Sequence, residues 1–320
     1  MNAAVVHDFN HPPRYTSFAD PVPAEGEKLV KVSAAGLHQI VKALANGTHY
    51  GSTEELPFIP GVDGVGRLED GKRVFFGGGR GPYGTFAELG LASSWMSIEL
   101  PESLDDVTAA GIANPGMSSW VALAHRAKFV AGESVLILGA TGVAGQLAVQ
   151  IAKRLGARRV VAAGRNPKAL EELKDLGADA VVSLEQPHDS LVAAFRHELA
   201  QDSVDVVLDY LWGAPAEAML AALSHKGLQK KTPRLRFVQI GSTAGLAISL
   251  PAATLRSSAI ELLGSGFGSA SLDAIVKAVG EFFTMAATQP FKFKAKAVRL
   301  KDVEMLWNAT EPGVRLVFQP

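Results

Sequence analysis

The stretch Val135-Leu-Ile-Leu-Gly139-Ala-Thr-Gly142-Val-Ala-Gly145 decides the fold of this chain. Its first four residues form a continuous apolar run, which is typical of a strand that is buried on both faces of a sheet. A glycine-rich turn follows the run, and a helical pattern continues from the turn to about Leu155. A strand, a glycine-rich turn and a helix in this order indicate the first βα unit of a doubly wound parallel sheet.

The chain on either side of this unit has two different patterns. Further apolar runs alternate with helical segments at 159–163, 180–183, 204–208 and 236–240, which implies right-handed crossovers and a parallel sheet. The first third instead consists of short alternating runs divided by Gly and Pro, as in a compact β-rich domain. The sequence therefore predicts an α/β chain with residues 1–117 and 256–320 in a β-rich domain and an inserted parallel-sheet domain at 118–255.

Composition excludes several classes of function. The 320 residues are 48% hydrophobic and 20% charged with a net charge of −1, as in a soluble globular protein. The chain has no long basic run, so binding to nucleic acid or to an anionic membrane surface is not expected. No signal peptide or membrane-spanning stretch is evident, and the absence of cysteine rules out disulfides and thiolate metal sites. We expect a cytoplasmic enzyme that acts on a small-molecule substrate.

The glycine-rich turn has the chemistry of a dinucleotide site. Its three glycines let the chain turn tightly, approach a pyrophosphate and pack the helix on the strand, while the first amides of the helix attract anions. The spacing is G-x-x-G-x-x-G, so Ala140 stands near the place of the usual middle glycine. A purely structural βα turn is the alternative. The residues predicted to bind the cofactor here are Gly139, Ala140, Thr141, Gly142, Val143 and Ala144.

The residues after the second strand select the form of the cofactor. Enzymes that use NAD place a carboxylate there for the ribose hydroxyls, but this chain has Gly164, Arg165 and, soon after, Lys168. Two cations suit a 2′-phosphate, which predicts NADPH. The alternative is a pair of ordinary surface residues, although cations are unfavourable at the start of a helix.

An ordered set of motifs resembles the medium-chain dehydrogenase/reductase superfamily, especially its zinc-independent quinone oxidoreductase branch. The resemblance implies a GroES-like β-rich catalytic domain with an inserted Rossmann domain, and a homodimer paired through sheet edges. The matching segments run nearly end to end and are 32–36, 47–50, 58–66, 71–74, 84–88, 118–123, 133–145 and 177–180.

The resemblance also bears on zinc. Its metal-dependent members have a cysteine near residues 36–38 and a Gly-His-Glu motif near residue 61. Here His38 stands at the first position, and Gly61-Val62-Asp63 replaces the second motif. With no cysteine in the chain, neither a catalytic nor a structural zinc site is expected. His38 is then either a hydrogen-bonding residue near the substrate or a satisfied buried histidine.

Three residues are the catalytic candidates, namely Tyr50, His38 and Asn114. Tyr50 aligns with a tyrosine that lies near the nicotinamide in quinone oxidoreductases, where a phenol stabilises a developing oxyanion or supplies a proton. A packing role in its loop is the alternative. Asn114 holds the carboxamide of the cofactor or simply forms a turn with Pro115.

Other cofactor contacts follow from position in the resemblance, although each of these residues could instead belong to an ordinary loop. They are Ser118, Leu211, Gly241, Ser242, Gly264 and Phe267. Two departures concern the substrate, because the related branch often has Asn where His38 stands and a Tyr near Leu184. The substrate therefore need not be a quinone.

Together these patterns predict an NADPH-dependent reductase that passes hydride to a quinone, an enone or another activated carbonyl. An NADPH-binding regulatory protein with little turnover is the alternative. A short-chain reductase fits poorly. Those enzymes usually carry the glycine-rich turn near the N-terminus and often use a Tyr-x-x-x-Lys motif, whereas here the turn begins at Gly139 and Ala214 stands four residues after Tyr210. The basic segment 226–236 is interpreted as a solvated loop.

Overall fold

The computed structural model describes residues 1–224, 233–266 and 268–320. The chain divides into two compact units, one formed by Met1–Pro115 with Val276–Pro320 and the other by Gly116–Ile275. Within the described ranges, no helix has both the length and the apolar composition needed to cross a membrane.

The secondary structure elements are numbered in chain order. The strands are β1 Asn2–Val5, β2 Arg14–Ser17, β3 Glu27–Gly36, β4 Asp63–Leu68, β5 Arg73–Gly77, β6 Leu89–Ser93, β7 Ser97–Glu99, β8 Ser134–Leu138, β9 Arg159–Gly164, β10 Ala180–Ser183, β11 Val206–Asp209, β12 Leu235–Gln239, β13 Ile260–Gly264, β14 Lys294–Arg299 and β15 Val314–Gln319. The α-helices are α1 Gln39–Ala45, α2 Asp106–Trp120, α3 Val143–Arg154, α4 Pro167–Lys174, α5 His188–Gln201, α6 Gly213–Ala222, α7 Ala252–Ser257, α8 Leu272–Thr288 and α9 Val303–Leu306. A π-helical segment, Val121–Ala127, continues α2, and a 3₁₀ turn, Leu300–Asp302, precedes α9.

The first unit is β-rich, as the Gly- and Pro-punctuated sequence predicts. Its larger sheet has the order β14-β15-β3-β4-β5-β7, and β6 also pairs with β3. The last strand, β15, lies between β14 and β3 and pairs antiparallel with β3 at Val317 and Phe318. Phe86 and Trp307, both buried, pack with Phe318 in one core cluster, so residues from both ends of the chain stabilise the same core.

The second unit is the doubly wound parallel sheet that the strand and turn at 135–145 predict. Its strand order is β10-β9-β8-β11-β12-β13, with every neighbouring pair parallel. The four apolar residues Val135–Leu138 of β8 are completely buried at the centre of the sheet. Chain order reverses between β8 and β11, and such a reversal opens the ligand crevice of a doubly wound fold at the carboxyl ends of the strands.

The sheet extends further along the chain than the predicted boundary at residue 255. Strand β13, expected among the residues of the β-rich domain, pairs in parallel with β12 from Ile260 opposite Leu235 to Gly264 opposite Gln239. It is short and half-exposed because it forms an edge of the sheet, so its pattern differs from that of the central strands. Residues 256–275 therefore belong to the unit that contains the parallel sheet.

The prediction of a solvated loop for 226–236 is wrong at Arg236. Residues 225–232 lie outside the described residues, but Arg236 is a buried residue of β12. Its guanidinium donates to the carbonyl of Ala127 at 2.7 Å and to the carboxylate of Glu133 at 2.6 Å. The side chain thus supplies donors at the end of the π-helical segment, where helix carbonyls lack partners within the helix.

Candidate functional site

The glycine-rich turn is tied to the neighbouring strand. Gly139 has a φ of +88°, a conformation that favours glycine. The amides of Gly139 and Ala140 both donate to the carbonyl of Ala163 in β9, at 3.0 and 2.9 Å. Gly142 then begins α3 in extended conformation and has no side chain to cap the helix. The first amides of α3 are consequently left for an anionic ligand.

The glycines of the turn meet different steric requirements. A β-carbon at Gly145 would lie 2.4 Å from the carbonyl oxygen of Gly139 and 2.5 Å from the Cα of Ala140. A β-carbon at Gly142 would meet only the Gly139 oxygen, at 3.5 Å. Gly145 is therefore required for the packing of α3 on the turn, whereas Gly142 keeps the space above the helix start open. This arrangement fits the close approach of a pyrophosphate.

The end of β9 lies against the same turn. A β-carbon at Gly164 would lie 2.5 Å from Cγ2 of Thr141, so the absence of a side chain there lets the two segments touch. Asn166 caps α4 by accepting a hydrogen bond from the amide of Ala169 at 3.1 Å. Arg165 and Lys168 are exposed at the start of this helix, and neither has an ion-pair partner among the described residues. Two exposed cations of this kind fit a phosphate monoester.

Two loops meet at the carboxyl edge where chain order reverses. The amide of Ala244 donates to the carbonyl of Leu211 at 2.8 Å, which joins the loop after β12 to the loop after β11. A β-carbon at Gly241 would lie 2.7 Å from the carbonyl oxygen of Tyr210. The predicted cofactor residue Leu211 lies against the glycine-rich turn, since its Cδ2 is 3.0 Å from the position of a β-carbon at Gly139, and Ser242 is exposed beside Gly241.

Two further predicted cofactor residues, Gly264 and Phe267, remain to be placed relative to this edge. Gly264 ends β13, where its carbonyl accepts a hydrogen bond from Arg126 at 2.8 Å. A β-carbon there would meet nothing within 4 Å. Gly264 thus lies at the carboxyl edge, two strands away from β11. Phe267 lies outside the described residues.

Asp209 is a polar residue of this edge that the sequence reasoning missed. It is completely buried at the end of β11, and its Oδ1 accepts hydrogen bonds from the amides of Leu211 and Trp212 at 2.8 and 3.0 Å. Its Oδ2 is buried without a partner, and burial raises the pKa of the carboxyl to about 6. Trp212 has a φ of +57° and a ψ of −161°, a strained conformation for a residue with a side chain. An acid at the end of an apolar run in the sequence was the signal that could have identified it.

Tyr210 is the second residue that was missed as a site residue. Its hydroxyl lies 2.8 Å from Oγ of Ser119 and also hydrogen-bonds the hydroxyl of Ser118, a predicted cofactor residue. Burial raises the pKa of the phenol to about 12, so it stays neutral at physiological pH. Its position directly after a central strand was the signal that could have identified it.

His38 and Asp63 form a buried pair in the first unit. Nε2 of His38 lies 3.2 Å from Oδ1 of Asp63, and both residues are buried. Burial lowers the pKa of His38, so the neutral ring donates its Nε2 proton to the carboxylate, which can only accept. Nδ1 is then a buried acceptor without a partner. The sequence left open whether His38 is a satisfied buried histidine or a group near the substrate. His38 is buried, but only Nε2 of its ring has a hydrogen-bond partner.

The other catalytic candidates lie elsewhere in the same unit. Tyr50 follows α1 in a loop, is 81% exposed and stacks on His49 with ring centroids 4.1 Å apart. Asn114 is half-buried inside α2, so the turn considered for Asn114 and Pro115 is wrong. In the ranges 1–224, 233–266 and 268–320, no three His, Asp or Glu side chains are grouped as a metal site would require.

The burial of Asp209 predicts a pH-dependent gain in stability for Asp209→Asn. The carboxyl pKa is 3.8 ordinarily and about 6 in the folded protein, so folding disfavours the ionised form and stability falls as pH rises between these values. The amide keeps the Oδ1 acceptor and removes the charge. In urea unfolding, we expect the stability of the variant relative to wild type to increase by about 2 kcal/mol between pH 4 and pH 7.5.

Asp70→Asn is the matched control, because Asp70 is an exposed turn residue whose Oδ1 accepts the amide of Lys72. It should show no such change over this pH range. A relative stability of Asp209→Asn that is the same at both pH values contradicts the prediction.

Known proteins resemble this chain over its whole length. A family model described as zinc-binding dehydrogenase matches residues 143–284. A probable NADPH-dependent quinone reductase of Emericella nidulans is 27% identical over 360 residues and covers 100% of both chains. The quinone oxidoreductase of Pongo abelii is 30% identical over 240 residues, which is 71% of each chain.

Solved structures agree with these sequence relatives. The quinone oxidoreductase of Thermus thermophilus, solved alone and with NADPH, has a TM-score of 0.80 at 25% identity and full coverage of both chains. A mycobacterial quinone oxidoreductase has a TM-score of 0.84 at 20% identity over both full chains, which supports the fold. The parallel sheet, the β-rich unit and the sequence relatives together place this chain in the medium-chain dehydrogenase/reductase superfamily, in its quinone oxidoreductase-like branch.

Proposed function

We propose that this protein is a zinc-independent, NADPH-dependent oxidoreductase that transfers hydride to a quinone, an enone or another activated carbonyl. The observation that carries the proposal is the open start of α3 at Gly142, held beside the exposed cations Arg165 and Lys168. Relatives named as NADPH-dependent quinone reductase and quinone oxidoreductase support it.

The residues of the turn fit such a cofactor. The first amides of α3 would hold the pyrophosphate, and Arg165 with Lys168 would bind the 2′-phosphate. NADPH supplies the hydride when it is bound. The protein must then align the acceptor and stabilise the negative charge that develops on its oxygen. The hydroxyl of Tyr50 is the proposed donor to that oxygen, with His38 and Asn114 as polar groups that orient the substrate.

Zinc independence rests on the chemistry of the available donors. The chain has no cysteine, so it offers no thiolate of the kind that usually binds zinc in dehydrogenases. The ring proton of His38 is already committed to Asp63. The zinc-binding dehydrogenase model matches only residues 143–284, a range that contains neither of these side chains.

The function is tested by NADPH oxidation with a panel of quinones and enones, in wild type and in Tyr50→Phe. Wild type should turn over at least one acceptor, and activity should survive dialysis against a chelator. Tyr50→Phe should bind NADPH normally but lose about tenfold or more in kcat, because one oxyanion donor is removed.

Tyr83→Phe removes a hydroxyl from another tyrosine of the same unit and is the control, with unchanged kcat expected. Unaltered turnover in Tyr50→Phe contradicts the role of Tyr50. Loss of activity with the chelator contradicts zinc independence. Tight NADPH binding by wild type without turnover of any acceptor favours a regulatory NADPH-binding protein instead.

The choice of cofactor is tested by the double variant Arg165→Ala/Lys168→Ala. Charge-assisted hydrogen bonds to a phosphate are worth about 1.5–3 kcal/mol each, so the Kd for NADPH should rise by about tenfold or more. The Kd for NADH, which lacks the phosphate, should stay the same. Both constants are measured by cofactor fluorescence.

Lys174→Ala provides a matched control on the same helix, because Lys174 is exposed and pairs with Glu171 at 2.7 Å. It should leave both dissociation constants unchanged. An equal loss of affinity for NADPH and NADH in the double variant would show that the two cations do not read the 2′-phosphate.

A homodimer is the proposed assembly, formed by two copies of β13. This strand ends the described sheet next to β12, and Leu262 on it is 41% exposed. An edge strand offers unpaired backbone groups and, here, apolar side chains to a second chain. A twofold axis would let the two identical edges pair with each other.

Leu262→Lys tests the dimer, because the new charge would be buried in a paired edge. Light scattering after gel filtration should give a dimer for wild type and a monomer for the variant. Leu246→Lys, at a leucine that is 89% exposed in the loop after β12, is the control and should remain dimeric. A wild-type monomer, or a dimeric Leu262→Lys, contradicts the assignment of this edge.

A further inference from the structure

Three hydroxyl groups meet beside the point where chain order reverses in the parallel sheet. Tyr210 is the first residue after β11, and its amide donates to the carbonyl of Leu138 at the end of β8 at 3.2 Å. It therefore joins the two strands between which the ligand crevice opens. Its phenol reaches the hydroxyls of Ser118 and Ser119 in the last turn of α2.

The backbone of Tyr210 is held tightly on both sides. Its Cβ lies 3.3 Å from the position that a β-carbon at Gly139 would occupy. Its carbonyl oxygen lies 2.7 Å from the position that a β-carbon at Gly241 would occupy. The same carbonyl accepts a hydrogen bond from the hydroxyl of Thr243 at 3.1 Å. Any movement of Tyr210 is thus opposed by the glycine-rich turn and by the loop after β12.

The hydroxyl of Tyr210 contacts the last turn of α2, directly before the helix changes to π-helical geometry. Ser119 is completely buried, and its Oγ lies 2.8 Å from the phenol oxygen. The helix changes to π-helical geometry directly after Trp120. Short π-helical segments occur frequently at functional sites. Tyr210 contacts the turn of α2 that precedes this segment, as a neutral group that keeps its proton.

The position of the cluster relates it to one half of the cofactor. A doubly wound sheet binds one mononucleotide with each half. Arg165 and Lys168, the proposed partners of the 2′-phosphate, follow β9 in the half formed by β8–β10. The half formed by β11–β13, in which Tyr210 follows the first strand, is left for the nicotinamide mononucleotide.

We propose that Tyr210 is a positioning residue, whose hydroxyl bonds to Ser118 and Ser119 fix the end of α2 beside the glycine-rich turn and so place the nicotinamide for hydride transfer. This inference rests on the proposed function, because it assumes that NADPH is the hydride donor. No proton leaves the cluster in the reaction. The hydride passes from the cofactor to the acceptor, and the protonation of the reduced acceptor takes place elsewhere.

The test compares Tyr210→Phe and Ser119→Ala with wild type in the full-length protein. We expect kcat to fall about tenfold in Tyr210→Phe, since small errors in the alignment of reacting atoms are costly. The Kd for NADPH should rise less, about threefold, because one neutral hydrogen-bonded group is lost. The isotope effect on kcat with NADPH deuterated at the transferred position should increase, because misalignment slows the hydride step itself. Ser119→Ala should give changes in the same direction, and the double variant should be no worse than Tyr210→Phe.

Tyr15→Phe is the control, because Tyr15 is a half-buried tyrosine of β2 in the other unit. It should leave kcat, Kd and the isotope effect unchanged. A Tyr210→Phe variant with a lower melting temperature but unchanged kcat, Kd and isotope effect overturns the inference, since the hydroxyl would then be purely structural. Additive effects of Tyr210→Phe and Ser119→Ala overturn it as well, because they would show that the two hydroxyls act independently.

Failure of the proposed function is recognised separately, in wild type. If wild type binds NADPH but reduces no acceptor, the oxidoreductase proposal fails, whereas the Kd of Tyr210→Phe still decides whether Tyr210 positions the cofactor. If wild type does not bind NADPH, both proposals are overturned.

Discussion

The close contact between α3 and the glycine-rich turn is the constraint on which the rest of this structure depends. Gly145 packs so near the turn that a β-carbon would overlap the carbonyl of Gly139 at 2.4 Å. Helix α3 begins soon after β8, whose residues Val135–Leu138 are completely buried, so its first amides lie at the carboxyl edge of that strand. The neighbouring strand ends fit around the same turn, with Gly164 against Thr141 on one side and Tyr210 against Gly139 on the other. One packing contact thus sets the shape of the whole edge.

The charges at this edge suit an anionic ligand. Tyr210 keeps its proton because its pKa is about 12. The cations are placed at the exposed start of α4 and the amides at the start of α3. The neutral phenol adds no negative charge to this edge, and the exposed cations attract a phosphate.

Local patterns were sufficient to predict the parallel sheet and its glycine-rich turn. The buried run at 135–138 and the glycines after it are encoded within about ten residues, and the contacts of Gly139, Gly142 and Gly145 explain that spacing. Strand β13 and the π-helical segment could not be placed in this way. The strand is a short, half-exposed edge, and the π-helical segment and the turn before it contact Arg236 and Tyr210, which lie more than ninety residues further along the chain.

The catalytic candidates of the first unit depend on contacts that no short motif contains. His38 pairs with Asp63, 25 residues further on, and its ring lies over Gly36, where a β-carbon would be 2.6 Å from Nε2. Arg315 donates to the carbonyl of Leu37 at 2.6 Å, a contact that spans 278 residues. Arg315 and Leu37 meet because β15, which contains Arg315, pairs with the end of β3, directly before Leu37.

The cofactor turn and the surroundings of His38 are therefore determined differently. The residues of the cofactor turn are adjacent in sequence, and the turn contacts β9 and Tyr210. The surroundings of His38 are complete only when the final strand has joined the first sheet, because Arg315 lies on that strand. The cofactor can consequently be inferred from a short segment, whereas the contacts around His38 join residues that are distant in sequence.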